Sequence, residues 1–252
     1  MPNPVWLNFP KPNPQASLRL FCLPYAGGSA LLFRNWPDHI SADVEICAIQ
    51  LPGRGARTRE APLTSMQELV TSLAEALKPF LDKPFALFGY SLGAVIGFEL
   101  ACLLRQTANV NPTHLFVAGR RAPQFPSNLP PRSALPDGEF ISELQRLNGT
   151  PREVLEHPEL IQLMLPLLRA DFGLDETYDY RSEPPLDVPL SAYGGIADTD
   201  VSREQLEGWR EQTTASFELR MFPGDHFFLH TSPELLFKAI NQRLAEGAMR
   251  MT

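Results

Sequence analysis

Short runs of apolar residues alternate with longer segments of helical periodicity along most of the chain. The apolar runs predict strands at residues 18–23, 44–49, 85–88, 114–118, 190–193 and 217–222. Apolar side chains between residues 69 and 81 recur every three or four positions, which predicts an amphipathic helix. Further helices are expected at residues 30–39, from 92 to about 105, and from 233 to about 244. This alternation indicates an α/β protein with a mostly parallel central sheet and helices on both faces.

The alternation breaks once, between residues 125 and 180. Helical patterns occupy residues 137–147 and 159–168 there, with no strand between them. We therefore expect a single domain over residues 1–252, with a helical insertion at about 125–180 that forms a lid over the site. The alternative is a helical layer that packs on the edge of the sheet and has no gating role.

Composition limits the classes to which the chain can belong. Apolar residues make up 44% of its 252 residues, which is enough for a large core. The formal net charge of −7 argues against nucleic acid as a partner. The three cysteines lie in apolar runs, so we expect buried thiols in a reducing compartment. No signal peptide is recognisable and no apolar run approaches about 20 residues, so we expect a cytoplasmic protein with no membrane partner.

A Gly-x-Ser-x-Gly motif at residues 89–93 stands between a predicted strand and a predicted helix. Such a turn lifts the serine hydroxyl clear of the sheet, where a base can reach it. The residues two positions before and after the serine must be small, and Gly89 and Gly93 meet this requirement. We interpret Ser91 as a nucleophile, and the amide of Leu92, in the first helical turn, as an oxyanion donor. The alternative is a glycine-rich turn with a buried serine.

A serine nucleophile requires a base, and the base requires a carboxylate that orients it. The chain order in this arrangement is Ser, then Asp or Glu, then His, and these groups gather at the carboxyl ends of the strands. His226 comes directly after the last predicted strand and is preferred to His230, which lies just before the final helix. Asp198 and Asp200 both follow the preceding strand. Spacing favours Asp198, while Asp200 has an alternative role as a cap of the next helix.

A second oxyanion amide is expected from the loop that follows the first of these strands. This loop covers residues 24–29, and its glycines allow the backbone to approach an acyl group and present its amides. The alternative is a simple glycine-rich turn.

Several segments form a joint pattern across residues 18–244. They are Leu23–Ser29, Leu51–Arg57, Gly89–Ala94, Leu147–Pro151, Leu165–Asp171 and Gly224–Leu229. In this combination the chain resembles the type II thioesterases, the stand-alone editing enzymes that accompany nonribosomal peptide and polyketide synthases. The resemblance implies the α/β-hydrolase fold and a catalytic triad of Ser91, His226 and Asp198. It also implies oxyanion amides at Ala26 and Leu92.

The same resemblance implies a substrate. Type II thioesterases hydrolyse wrongly loaded or stalled acyl groups held as thioesters on the phosphopantetheine arm of carrier-protein domains. We accordingly expect a monomer that acts on acyl- or peptidyl-carrier proteins with no metal and no organic cofactor. The family often has proline just after the acid, whereas this chain has Thr199 and Asp200 there. Three alternatives stay open: a carboxylesterase or lipase on the same fold, an acyltransferase, and a non-catalytic module that binds acylated carriers.

Arginines cluster after two of the predicted strands, on the edge of the sheet where Ser91 is expected. We call this cluster the arginine rim, and it consists of Arg54, Arg57, Arg59, Arg120 and Arg121. Carrier domains are usually acidic and their arm carries a phosphate, which suits the guanidinium fork. We hypothesise that the arginine rim docks the carrier. The alternative is internal pairing with nearby carboxylates such as Glu60 and Glu68.

Overall fold

The computed structural model of the protein describes residues 6–126, 130–147, 149 and 152–249. At its centre lies a seven-stranded sheet in the order β1-β3-β2-β4-β5-β6-β7. The strands are β1 (Leu7–Asn8), β2 (Leu18–Leu23), β3 (Val44–Ile49), β4 (Phe85–Tyr90), β5 (Leu115–Ala118), β6 (Leu190–Gly195) and β7 (Phe217–Phe222). All neighbouring strands are parallel except β1 and β3, which are antiparallel. The predicted strands are confirmed to within two residues at either end.

Helices cover both faces of this sheet, as predicted. They are α1 (Met66–Leu77), α2 (Leu92–Ala108), α3 (Asp137–Leu147), α4 (Arg152–Leu155), α5 (Pro158–Glu176), α6 (Arg203–Glu207), α7 (Phe228–Thr231) and α8 (Pro233–Met249). The single helix expected at residues 30–39 is wrong, because two short 3₁₀ helices, Ala30–Phe33 and Trp36–Asp38, occupy that segment. Pro37 has no amide hydrogen, so it cannot make the bond that would continue an α-helix through this point.

The core has two parts because successive side chains of a strand point to opposite faces of the sheet. In β2, Phe21 and Leu23 join the apolar cluster that includes α1 and α2. Leu20 and Cys22 join the cluster on the other face, which includes α8. All three cysteines are buried free thiols, as the apolar context predicted.

The predicted insertion is the helical segment α3–α5, which lies between β5 and β6. It has a small apolar cluster of its own, made of Phe140, Leu144, Ile161, Leu165 and Leu168. Helix α5 is longer than the predicted 159–168 and ends at Glu176. Within the insertion, residues 127–129, 148, 150 and 151 lie outside the described residues, so most of the segment Leu147–Pro151 does too. None of the described helices is both long and apolar enough to cross a bilayer.

Candidate active site

Ser91 occupies a strained turn between β4 and α2. Its backbone has φ 52° and ψ −114°, a region that residues with a side chain rarely adopt. The turn is also tightly packed, since a Cβ atom at Gly89 would overlap the backbone of Gly93. A Cβ atom at Gly93 would in turn overlap the carbonyl of Leu23. The need for small residues on both sides of the serine is therefore confirmed, and the turn holds the hydroxyl above the carboxyl end of the sheet.

The side chains of Ser91, His226 and Asp198 form a hydrogen-bonded series. His226 Nε2 lies 3.2 Å from Ser91 Oγ, and His226 Nδ1 lies 2.8 Å from Asp198 Oδ2. A carboxylate can only accept, so Nδ1 donates to Asp198 and Nε2 is left to accept the proton of the serine hydroxyl. The three residues that the sequence singled out, from three separate strand ends, thus meet at one point.

Asp198 is held in place through both of its oxygen atoms. While Oδ2 accepts from His226, Oδ1 accepts from the backbone amides of Asp200 (2.9 Å) and Val201 (3.1 Å). Its side chain is fully buried, and that of His226 is only 15% exposed. Hydrogen bonds to the charged form compensate for this burial and fix the direction in which the carboxylate faces the imidazole.

The loop that carries His226 is tied to the residue before the nucleophile. The hydroxyl of Tyr90, a fully buried side chain, donates to the carbonyl oxygen of His226 at 2.6 Å. The loop is closed further by the amide of Phe227, which donates to Asp225 Oδ1 at 2.8 Å. Base and nucleophile are therefore positioned by one continuous segment, Tyr90-Ser91. The sequence gives no signal for this role of Tyr90, whose partner lies 136 residues further along the chain.

Two backbone amides are available beside the serine. Ala26, after β2, and Leu92, at the start of α2, line the same cavity as Ser91. Within the part of the chain that the structure describes, neither amide donates a hydrogen bond to another protein group. Backbone N–H groups that are free and converge near a nucleophile can stabilise an oxyanion. This position is the one expected from the sequence for both residues.

The cavity at Ser91 has a volume of about 100 Å³. The residues of its wall include Tyr25, Ala26, Ser91, Leu92, Arg120, Arg121, Leu144, Leu168, Phe172, Asp175, His226 and Phe227. Leu144 belongs to α3, and Leu168 and Phe172 belong to α5. The insertion thus covers the serine, and its role as a moving lid stays a prediction.

Comparison with known proteins shows to which family the chain belongs. The family model of the thioesterase domain matches residues 18–244. The chain belongs to the thioesterase family. This result confirms the resemblance inferred from the sequence, and the structural neighbours of this thioesterase have the α/β-hydrolase fold that the resemblance implied.

Individual relatives cover nearly the whole of this thioesterase. The gramicidin S biosynthesis protein GrsT of Aneurinibacillus migulanus is 50% identical over 220 residues, which cover 87% of this chain and 86% of GrsT. Thioesterase PikA5 of Streptomyces venezuelae is 38% identical over 228 residues, covering 90% of this chain and 80% of PikA5. The solved structure of the type II thioesterase BorB from the borrelidin biosynthetic cluster superimposes with a TM-score of 0.88 at 35% identity, covering 95% and 98% of the two chains.

The side chains of the two rival residues, His230 and Asp200, have other partners in the thioesterase. His230 Nε2 contacts the hydroxyl of Tyr25 at 3.3 Å, and burial lowers the pKa of this histidine. Asp200 does not cap the next helix, because Ser202 performs that task for α6. The carboxylate of Asp200 instead accepts from Arg132 at 2.8 Å.

The predicted arginine rim is wrong for Arg54 and Arg57, two of the three arginines in its first loop. Arg54 is buried and forms a bidentate pair with Asp171, at 2.5 and 2.7 Å. Arg57 is also buried, pairs with Glu60 at 2.5 Å and stacks 4.0 Å above the ring of Trp6. These two guanidinium groups serve internal ion pairs, so neither can reach a carrier.

The second loop of the arginine rim is only partly available. Arg120 is buried and pairs with Asp175 at 2.8 Å, which removes it from a docking surface as well. Arg121 is half-buried on the cavity wall, and Arg59 is exposed. A docking role for these last two stays a prediction.

Asp171 is a site residue that the sequence analysis missed. Besides pairing with Arg54, its Oδ2 accepts from the amide of Gly27 at 2.6 Å. One carboxylate of the insertion therefore holds the loop that carries the Ala26 amide. In the sequence, the segment Leu165–Asp171 stands out only as part of the family pattern. The spacing of residues does not show that Asp171 contacts the loop after β2.

Proposed function

We propose that this thioesterase removes acyl groups from the phosphopantetheine arms of carrier-protein domains, as a stand-alone editing enzyme of a nonribosomal peptide or polyketide synthase. The observation that carries the proposal is the series from Ser91 through His226 to Asp198, with hydrogen bonds of 3.2 and 2.8 Å. The relatives supply the biosynthetic context, since GrsT is named for gramicidin S biosynthesis and BorB for the borrelidin cluster.

The first half of the reaction acylates the serine. His226 Nε2 takes the proton of Ser91 Oγ, and Oγ attacks the carbonyl carbon of the thioester. The negative charge that develops on the carbonyl oxygen is stabilised by the amides of Ala26 and Leu92. Collapse of this intermediate breaks the carbon–sulfur bond. The pantetheine sulfur leaves readily because thiols have a pKa of about 8.5, and His226 returns the proton to it.

The second half releases the acid. A water molecule takes the place of the thiol, gives a proton to His226 Nε2 and attacks the acyl-serine carbonyl. The intermediate collapses, Ser91 regains its proton from the imidazolium, and the free carboxylic acid leaves. Through both halves Asp198 keeps Nδ1 protonated and stabilises the charged imidazole, so no metal or organic cofactor takes part in this scheme.

Helices α3 and α5 form part of the cavity wall beside Ser91. We propose that the insertion acts as a lid that sets the length of the acyl group. Because each chain holds the whole series of catalytic groups, a monomer is sufficient for activity.

The experiment that tests this function compares two substrates and two variants. We expect acetyl-carrier protein to be hydrolysed with a higher kcat/KM than p-nitrophenyl acetate, and Ser91→Ala to lose about 10³-fold or more of that activity. Ser17→Ala is the matched control, because Ser17 is exposed before β2 at the opposite edge of the sheet.

Each alternative has its own outcome in the same experiment. Faster turnover of the ester would favour a carboxylesterase or lipase. Acyl transfer to an added alcohol or amine in place of water would identify an acyltransferase. If wild type hydrolysed none of these substrates, and wild type and Ser91→Ala bound acylated carrier equally well, the protein would be a module that binds acylated carriers.

A further inference from the structure

The carboxylates on the wall of the cavity at Ser91 already have partners. Asp175 accepts from Arg120 at 2.8 Å, and Asp200 accepts from Arg132 at 2.8 Å. Glu176 accepts from two backbone amides and from a serine hydroxyl. Each of these three carboxylates therefore has at least one hydrogen-bond donor among the described residues.

One arginine on this wall, Arg121, has no carboxylate partner among the described residues. Arg121 is half-buried, and Nε donates to the carbonyl oxygen of Phe125 at 3.2 Å. Its other guanidinium N–H groups have no acceptor in the described part of the chain, and no carboxylate pairs with it. Burial and the neighbouring Arg120 lower the pKa of Arg121 to about 10. The cation is thus held in a place that disfavours it.

Arg120 adds a second unfilled hydrogen-bond donor. Its side chain is buried, and Nε has no hydrogen-bond partner among the described residues, although the same guanidinium pairs with Asp175. Oδ1 of Asp175 has no hydrogen-bond partner there either. Two adjacent arginines therefore share one carboxylate. An anion that contacted both side chains would accept from N–H groups that have no acceptor among the described residues and would offset the charge of Arg121.

These arginines share a cavity with the catalytic groups. They follow Gly119, a residue whose added Cβ atom would be 3.5 Å from His226 Cε1. Arg120 and Arg121 line the same small cavity as Ser91. An anion bound by them would share this cavity with an acyl group on Ser91.

We propose that Arg121, supported by Arg120, is a subsite for the carboxylate of a short dicarboxylic acyl group. The enzyme would then hydrolyse a malonyl-type thioester in preference to a neutral acyl group of the same shape. This inference rests on the proposed thioesterase function. The other anion available is the phosphate of the pantetheine arm, but that phosphate lies at the opposite end of the arm from the thiol.

The test uses a pair of isosteric acyl groups, malonyl and 3-methylbutanoyl, each as a thioester of N-acetylcysteamine and of the carrier protein. We expect wild type to prefer malonyl on both thiols. Arg121→Gln should lower the ratio of the two kcat/KM values by about tenfold, since a hydrogen bond to a charged group is involved. Arg121→Lys should keep part of the preference. Arg34→Gln, a change at an exposed arginine, is the matched control and should leave the ratio unaltered.

Several results would overturn the subsite. One is a ratio near one between the kcat/KM values of wild type for malonyl and 3-methylbutanoyl thioesters. This result needs no variant, so it does not depend on whether a variant folds. Another is an unchanged ratio in an Arg121→Gln protein that melts cooperatively. If Arg121→Gln slows both carrier-bound acyl groups equally and neither N-acetylcysteamine thioester, Arg121 binds the phosphate instead. Wild type that hydrolyses 3-methylbutanoyl thioesters without preferring malonyl would refute the subsite alone, whereas failure on every thioester would refute the proposed function too.

Discussion

At the residue scale, the imidazole of His226 is fixed from two directions. Its Nδ1 is 2.8 Å from Asp198, and its backbone carbonyl accepts from Tyr90, the residue that precedes the serine. A hydrogen bond between a nucleophile and its base is useful only if both are held still, because small displacements cost large factors in rate. Tyr90 is therefore a positioning residue that acts through the loop of His226.

Tyr90→Phe tests this role, because it keeps the ring and removes the hydroxyl. The carbonyl of His226 would lose its buried partner, at a cost of about 1 to 3 kcal/mol. We expect kcat to fall by about tenfold with little change in KM, and the pH dependence of kcat to shift as the base becomes mobile. Steady-state kinetics between pH 5 and 9 measure both effects.

Tyr193→Phe is the matched control for this change. Tyr193 is equally buried, but its hydroxyl makes no hydrogen bond to the loop of His226. If the two variants had the same kcat and the same pH profile, Tyr90 would have a packing role only.

The sequence predicted the role of a residue where that role follows from a position at the end of a strand. It did not predict roles that depend on ion pairs between distant parts of the chain. His226 and Asp198 each follow a strand, so topology alone brings them to Ser91. The partners of the arginines are remote, since Asp171 lies 117 residues from Arg54 and Asp175 lies 55 residues from Arg120. No local sequence pattern shows that an arginine in one loop will pair with a carboxylate of the insertion. From the sequence alone, arginines that form buried ion pairs could therefore not be distinguished from exposed arginines.

At the scale of elements, the join between β4 and α2 is the most constrained point of the fold. Its glycines permit close contact between α2 and the end of β2, and the strained φ of Ser91 is tolerated because this packing fixes it. These features could be predicted because the motif lies between a strand and a helix that the sequence pattern clearly indicates. Strand β1 could not be predicted, because a strand of two residues shows no alternation of apolar and polar side chains. Its position is set by pairing with β3.

Gly93→Ala should be poorly tolerated for this reason. The added methyl group would overlap the carbonyl of Leu23, which is backbone and cannot move aside. We expect a loss of about 3 kcal/mol in the free energy of unfolding, together with loss of activity. Urea denaturation followed by circular dichroism measures the first effect.

Gly97→Ala, one turn later in α2, is the matched control. A Cβ atom there would make only ordinary contacts, at 3.5 Å from Leu23 and 3.9 Å from Leu115. Replacement of a mid-helix glycine should stabilise the protein by about 0.5 to 1 kcal/mol. Equal stability of the two variants would contradict the close packing inferred at Gly93.

At the scale of the whole molecule, the insertion is attached to the body by ion pairs near the active site. Asp171 pairs with Arg54, and Asp200, two residues after the acid of the triad, pairs with Arg146 of α3 at 3.1 Å. Although burial opposes its charge, hydrogen bonds from Arg146 and Arg132 hold the pKa of Asp200 below its usual value. The insertion and the catalytic acid are thus coupled through one short loop.

This coupling predicts that acid loosens the insertion. A carboxyl group whose pKa is lower in the folded protein stabilises that state above its ordinary pKa of about 3.9, and the contribution is lost as the pH falls through the folded value. We expect the amide protection factors of α3 to fall below about pH 4 before those of α1 do. Hydrogen exchange corrected for intrinsic rates measures this difference.

Asp200→Asn provides the comparison. It should lower the protection of α3 at neutral pH and remove this acid-dependent step, while the amide of residue 200 can still donate to Asp198. If α3 and α1 lose protection together in wild type, and Asp200→Asn changes neither, the insertion is not held by this group.

The most direct measurement of the central claim is the site of acylation during turnover. Wild type would be mixed with acetyl-carrier protein, quenched in acid within milliseconds and digested, and the peptides would be analysed by mass spectrometry. We predict one acetyl group on Ser91, and neither acylation nor turnover in Ser91→Ala. An acetyl group on another residue, or hydrolysis by Ser91→Ala at the wild-type rate, would contradict it.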